Sequence, residues 1–182
     1  MVISDKRYTI SDYEQYIATH PDSLFELIEG RIVEKLTSEE HGRIVINIGS
    51  ELRFWCKQNQ IQGHYSTESS HRLTENDYNE RRPDVSFRYT EESVSNKSAI
   101  YGMPDFAVEV KSTGNTYEGL REKAQFYIDN GSRLVWLVYP SRRIVEVYFN
   151  DGSSELFRDE HILSGDDILP NFQMTVSDIF DT

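Results

Sequence analysis

Leu134-Val-Trp-Leu-Val-Tyr139 is an unbroken apolar run of strand length, and it constrains this chain more than any other segment. A strand that shows water neither face must be covered on both, in the manner of a central or parallel strand of an α/β protein. Segments with helical and strand periodicity surround it in an order that suits such layering. Ser11 to Thr19 reads as a short helix, with Ser11 as N-cap and Glu14 completing a capping box. Leu24–Ile28 and Arg31–Leu36 read as a hairpin turning at Glu29-Gly30. From Ser38 to Asn59, Ile44, Ile48, Leu52 and Trp55 recur at helical spacing behind a Ser38 N-cap, with Glu39 and Glu40 in the first turn. His41 shares that face, at the end nearest the hairpin.

Gly63–Leu73 alternates as one polar strand, and Val85-Ser-Phe87 is a short strand opened by Pro83-Asp84. Glu91–Met103 is a polar connection available to a ligand. Tyr117–Asn130 is a helix whose Leu120, Ala124, Tyr127 and Ile128 share a face, closed by Gly131. Ile144–Phe149 and Ser154–Phe157 make a closing hairpin at Asn150-Asp-Gly152. The expectation is a single α/β domain over residues 1–182, a mixed central β-sheet flanked by helices.

The chemistry concentrates in Pro104-Asp-Phe-Ala-Val-Glu-Val-Lys111. Phe106, Val108 and Val110 alternate with Ala107, Glu109 and Lys111, so a strand here turns its apolar set to one side and its acid and base to the other. If the strand after Asp84 pairs with it, the carboxylates of Asp84 and Glu109 meet. At roughly 4 Å and an effective dielectric near 20 they repel by about 4 kcal/mol, so they need a cation between them or must take up a proton. A divalent metal supplies that cation.

Charge limits the partners. The formal net charge of −12 argues against coating nucleic acid through bulk electrostatics, so any polyanion must meet a local patch or a bound metal. Cys56, the one cysteine, excludes an intrachain disulfide and a cysteine-based zinc cluster. No apolar run approaches the roughly 20 residues that span a bilayer, and the polar start lacks a secretory apolar region. A cytoplasmic protein with no membrane contact is expected.

An Asp, a spacer and Glu-x-Lys on adjacent strands, followed by a helix, resemble the PD-(D/E)xK nuclease superfamily with its restriction-endonuclease-like fold. The chain more closely resembles the Uma2 (DUF820) family of endonucleases, abundant in cyanobacteria. The resemblance is carried by Phe25-Glu-Leu-Ile-Glu-Gly-Arg-Ile-Val33, by His41 at a helix head, and by Arg82-Pro-Asp-Val85. It continues through Pro104–Val110, Lys123-Ala-Gln-Phe-Tyr127, Gly131 and Leu134-Val-Trp-Leu137. Many family members carry an aliphatic residue where this chain has Lys111 and a Ser-Pro-Ser segment after it. Here Lys111 is present and the proline absent, which leaves the lysine that serves the nucleophile open between Lys111 and Lys123.

The resemblance implies a metal-dependent endonuclease acting on nucleic acid, DNA rather than RNA, in which a homodimer would present two sites to two strands. Mg²⁺ or Mn²⁺ would be held by Asp84, Glu109 and the backbone carbonyl of Val110, with Lys111 or Lys123 at the nucleophile. Glu26, His41 and Tyr127 are secondary candidates. Each residue has a plainer reading. Glu109 and Lys111 also suit a salt bridge on a solvated face, Asp84 a turn, His41 a helix cap, Lys123 a solvated helix and Tyr127 the core. The competing functions are a catalytically silent nuclease-fold binding module and a hydrolase of a small phosphate ester.

Overall fold

The computed structural model describes residues 6–91 and 99–181. In chain order the first half holds α1 (Ile10–Ala18), β1 (Leu24–Ile28), β2 (Arg31–Lys35), α2 (Glu39–Gln58), β3 (Gly63–Ser66), β4 (His71–Arg72), β5 (Glu80–Arg81), β6 (Val85–Tyr89) and β7 (Ile100–Tyr101). The second holds β8 (Phe106–Val110), α3 (Tyr117–Asp129), β9 (Leu134–Tyr139), β10 (Ile144–Phe149), β11 (Ser154–Arg158), β12 (Ile162–Gly165), β13 (Leu169–Thr175) and α4 (Val176–Ile179).

The six-stranded sheet runs in the order β11-β10-β9-β8-β6-β3. Only β8 and β9 pair in parallel, with α3 as the crossover between them; the other pairs are antiparallel, so the sheet is mixed. All six residues of β9 are buried. Leu134, Trp136 and Val138 pack under α2, while Val135, Leu137 and Tyr139 pack under α3, which accounts for the unbroken apolar run. Helix α2 buries Ile44, Ile48, Leu52, Trp55 and Cys56 against the first of these faces. Among the described residues no helix is long and apolar enough to cross a membrane.

A second sheet, β2-β1-β5-β4-β7, is built on the β1–β2 hairpin. Glu29 and Gly30 both hold positive φ at its turn, 50° and 77°, the twist that matches two antiparallel strands. The register pairs Glu26 with Val33 and Leu24 with Lys35, so Glu26 and Lys35 lie on one face of the hairpin.

Four details differ from the sequence expectation. Helix α1 is capped by Thr9, whose side chain accepts from the Asp12 N–H while Asp12 reaches back to Thr9, two residues earlier than Ser11 and Glu14 suggest. Gly63–Leu73 is split, because β3 joins the large sheet and β4 the small one. The connection Glu91–Met103 contains β7, and its residues 92–98 lie outside the described residues. After β11 a β12–β13 hairpin and α4 close the α2 side of the core. Phe172 packs 6.0 Å from the Trp55 ring and 6.1 Å from that of Trp136, and the Asn47 amide donates to the backbone carbonyls of Ile179 and Asp181.

Candidate metal centre

Strands β6 and β8 pair in antiparallel register, Val85 with Val108 and Ser86 with Ala107, and one step further along that register sets Asp84 opposite Glu109. The Asp84 N–H donates to the Val108 carbonyl at 2.9 Å, and the Val110 N–H donates to Asp84 Oδ2 at 2.6 Å. The Asp84 carboxylate is thereby fixed by backbone at the ends of two central strands. Glu26 on β1 accepts from the Arg82 N–H at 2.9 Å, which ties the hairpin to the same turn. Glu26, Lys35, His41, Asp84, Glu109, Val110 and Lys123 share the wall of one cavity of about 30 Å³, space for one or two water molecules.

Two ammonium groups hold the carboxylates. Lys35 Nζ lies 2.8 Å from Asp84 Oδ1 and 2.6 Å from Glu68 Oε2, and also donates to the Arg82 carbonyl. Lys123 Nζ lies 2.5 Å from Glu26 Oε2 and 3.1 Å from Glu109 Oε2. The Tyr127 hydroxyl donates to Glu109 Oε1 at 2.8 Å. His41 Nε2 stands 3.2 Å from Asp84 Oδ2, positioned by the Ser38 cap of α2. Asp84, Glu26 and Glu109 are all at most 2% exposed.

The protonation equilibria follow from this sharing. Burial alone would raise Asp84, but Lys35 and His41 outweigh it and hold the carboxyl well below the usual range. Burial acts likewise on Lys35 and Lys123 in the opposite sense, and the carboxylates around them keep both amines charged. Glu26 and Glu109 respond differently to one ammonium. Burial pushes both upward; Glu26, nearer Lys123, is nevertheless lowered, whereas Glu109, farther from it and facing Glu26 and Asp84, is pushed up to about 7. Two carboxylates sharing one cation divide in this way, the nearer keeping its charge and the farther taking the proton. His41 loses affinity for its proton by burial and regains more from Asp84, so it is raised. Tyr127, buried against Glu109, stays a hydroxyl donor.

Lys111 lies elsewhere. Its amine donates to the Ser112 carbonyl at 3.2 Å and sits 5.0 Å over the Tyr117 ring, which also carries the Arg142 guanidinium at 4.3 Å. Strand β8 ends at Val110, and the Ser112–Asn115 turn, closed by Asn115 accepting from the Ser112 N–H and hydroxyl, leads the chain toward the start of α3. Of the two candidate lysines, Lys123 is the one brought to Glu109. Val110 lines the cavity, and the backbone group it turns on Asp84 is its N–H.

Lys35 and Glu68 are site residues that the sequence reading missed. The signal for Lys35 was present: a hairpin turning at Glu29-Gly30 sets Leu24 opposite Lys35, hence Lys35 beside Glu26 on one face. Glu68 carried none, since its place depends on the loop after β3, where it adopts φ 55° and its N–H donates to the Pro83 carbonyl.

The donor set fits a small hard cation. Glu26, Glu68, Asp84 and Glu109 set four carboxylates against the ammonium groups of Lys35 and Lys123, an excess of two negative charges when all are ionised and His41 is neutral. Oxygen donors with that excess suit Mg²⁺ or Mn²⁺ rather than a thiolate metal. Among the described residues no three His, Cys, Asp or Glu converge as a ready-made ligand set, because the lysine amines stand between the acids.

Comparison with known proteins bears on the family and the fold. A model of the Uma2 family, described as "Putative restriction endonuclease", matches residues 10–177. No curated protein matches the chain. A solved structure described as a "putative nuclease belonging to DUF820 from Anabaena variabilis ATCC 29413" superposes with a TM-score of 0.80 at 20% sequence identity, covering 94% of this chain and 97% of that one.

Proposed function

Given that the chain belongs to the Uma2 family, we propose that it is a divalent-metal-dependent endonuclease hydrolysing phosphodiester bonds in DNA. The observation that carries this reading is that Asp84, Glu109 and Glu26 line one small cavity, with Lys123 bridging Glu26 and Glu109 and Lys35 paired to Asp84. Asp84 and Glu109 would hold the ion, with the Val110 carbonyl and Glu26 as further oxygen donors. When bound, the ion lowers the pKa of a coordinated water and offsets charge growing on the scissile phosphate.

The chain's own residues have separate tasks. Lys35 and the Val110 N–H fix the Asp84 carboxylate in place. Lys123, buried and charged, presents its ammonium beside Glu109, where it orients a water and stabilises an anionic transition state. Tyr127 holds the second oxygen of Glu109. His41 braces Asp84 from the head of α2. Lys111 and Arg142, stacked over Tyr117 beside the cavity's Ser112–Asn115 rim, supply local positive charge where a backbone phosphate approaches an otherwise acidic chain. A homodimer of such chains would offer one site to each strand of a duplex.

A second reading is favoured by one observation. Both oxygens of Asp84 and both of Glu109 already have protein partners, as they would in a silent binding module whose site needs no ion. Incubating plasmid, linear duplex, single-stranded DNA and RNA with Mn²⁺ separates the two. The proposal expects metal-dependent nicking or cleavage of DNA that chelation stops; binding of the same nucleic acids without cleavage at any metal concentration favours the module.

A further inference from the structure

We propose that a second cleft, adjoining the metal centre across Lys123, binds a phosphate group. The cleft is about 430 Å³, too large for phosphate alone and sufficient for an attached sugar, and it lies between the β1–β2 turn, the Gly114–Thr116 loop and the first turns of α3. Asn115 and Lys123 line both this cleft and the metal cavity.

The cleft's wall holds Arg81, which is 3% exposed and whose Nε and Nη1 are buried with no hydrogen-bond partner among the described residues. The acid next to it in sequence is taken: Glu80 accepts from Arg72 and Arg82 and from the Ser70 hydroxyl. What Arg81 does have is the Phe126 ring, 4.1 Å beneath its guanidinium, which orients the group without neutralising it. A buried guanidinium lacking an anion is costly to maintain, and an oxyanion from outside the chain would relieve that cost.

The N-terminus of α3 faces the same cleft. Thr116 Oγ1 accepts from the Gly119 N–H at 3.0 Å, and the N–H groups of Tyr117 and Glu118, within the first turn, have no intrahelical acceptor. An anion placed between a helix N-terminus and an arginine is doubly favoured. Two acids also line the cleft. Glu29 is already engaged by Asn79 and Arg7, while Glu122 is exposed at the rim and opposes an anion.

That the phosphate belongs to a nucleic-acid strand whose scissile bond lies at Asp84 and Glu109 rests on the nuclease reading; that the cleft binds phosphate does not. The test is a titration of the full chain with inorganic phosphate in EDTA, followed by ³¹P NMR, then with oligonucleotides bearing a 5′-phosphate or a 5′-hydroxyl. Wild type should bind phosphate saturably, Arg81→Met should weaken it about tenfold or more, and Glu122→Gln should tighten it severalfold. Arg81→Met should also melt no lower than wild type, because it removes an unpaired buried cation, whereas a purely structural arginine would lower the melting temperature. Tighter binding of the 5′-phosphorylated strand assigns the cleft to a strand end, and equal binding assigns it to an internal diester. No saturable phosphate binding by wild type, or binding that neither substitution changes, overturns the proposal. Mg²⁺ titration of the same proteins reads the metal centre separately, so either idea can fail alone.

Discussion

Replacing Lys35 by methionine should lower the melting temperature of the metal-free protein by about 10 °C. The Lys35 ammonium is the cation of both Asp84 and Glu68, and its side chain is 9% exposed against 1% for that of Asp84. Methionine keeps most of the volume but leaves a buried carboxylate without its partner, a change worth about 3–5 kcal/mol. For a chain of this length each kcal/mol moves the melting temperature by about 2–4 °C. The depressed pKa of Asp84 contributes stability that is present above the ordinary carboxylate pKa and is lost in acid. The variant has less of it to lose, so the gap between the proteins should narrow as pH falls below about 4. A divalent metal should recover much of the loss, since it restores positive charge beside Asp84, and should stabilise the variant more than it stabilises wild type. Thermal melts with and without Mg²⁺ provide the check; an unchanged melting temperature would show that Lys35 is not the counter-ion of the site.

Glu109→Gln should reduce cleavage by about 10³-fold or more, on the scale of losing a preorganised electrostatic group, while leaving the fold intact. Glutamine preserves an acceptor for Tyr127 but removes the charge that would hold an ion. Its stability effect should depend on pH in a defined sense. Burial and neighbouring acids push the Glu109 pKa up to about 7, so the native chain binds more protons than the unfolded chain between the ordinary glutamate value of 4.5 and 7. That contribution is present in acid and fades as pH rises through 7. Glutamine resembles the protonated form throughout, so relative to wild type the variant should be more stable at pH 8 than at pH 5. Urea unfolding at both pH values measures the difference, and no difference between them would mean that Glu109 is ionised throughout that range in the folded chain.

Much of this arrangement was legible in the sequence because it rests on short-range pattern. The alternation of Phe106, Val108 and Val110 against Ala107 and Glu109 specified both faces of β8, and the six apolar residues of β9 specified a strand covered on each side. Helix spacing placed Lys123 and Tyr127 on one face of α3, and the structure brings both to Glu109. What was not legible depends on where chains leave their strands. Lys111 follows the same alternation as Glu109, yet β8 ends one residue earlier and the exit turn carries its amine to Tyr117. Lys35 is placed by long-range pairing within the hairpin, which sets it beside Glu26 though the two are nine residues apart in sequence. The β12–β13 hairpin was illegible for another reason: its bulge between Ser164 and Gly165 breaks the period-two pattern, and the chain turns back so tightly there that a Cβ on Gly165 would stand 2.4 Å from Leu169 Cβ.

The central claim is that Asp84 and Glu109 together form a divalent-cation site, with Lys35 on Asp84 and Lys123 on Glu109 yielding to the ion. Calorimetric titration of Mg²⁺ and Mn²⁺ into wild type and into folded Asp84→Ala tests it most directly. One saturable site per chain in wild type, absent from the variant, is the predicted result; no binding by wild type, or equal binding by both proteins, would contradict it.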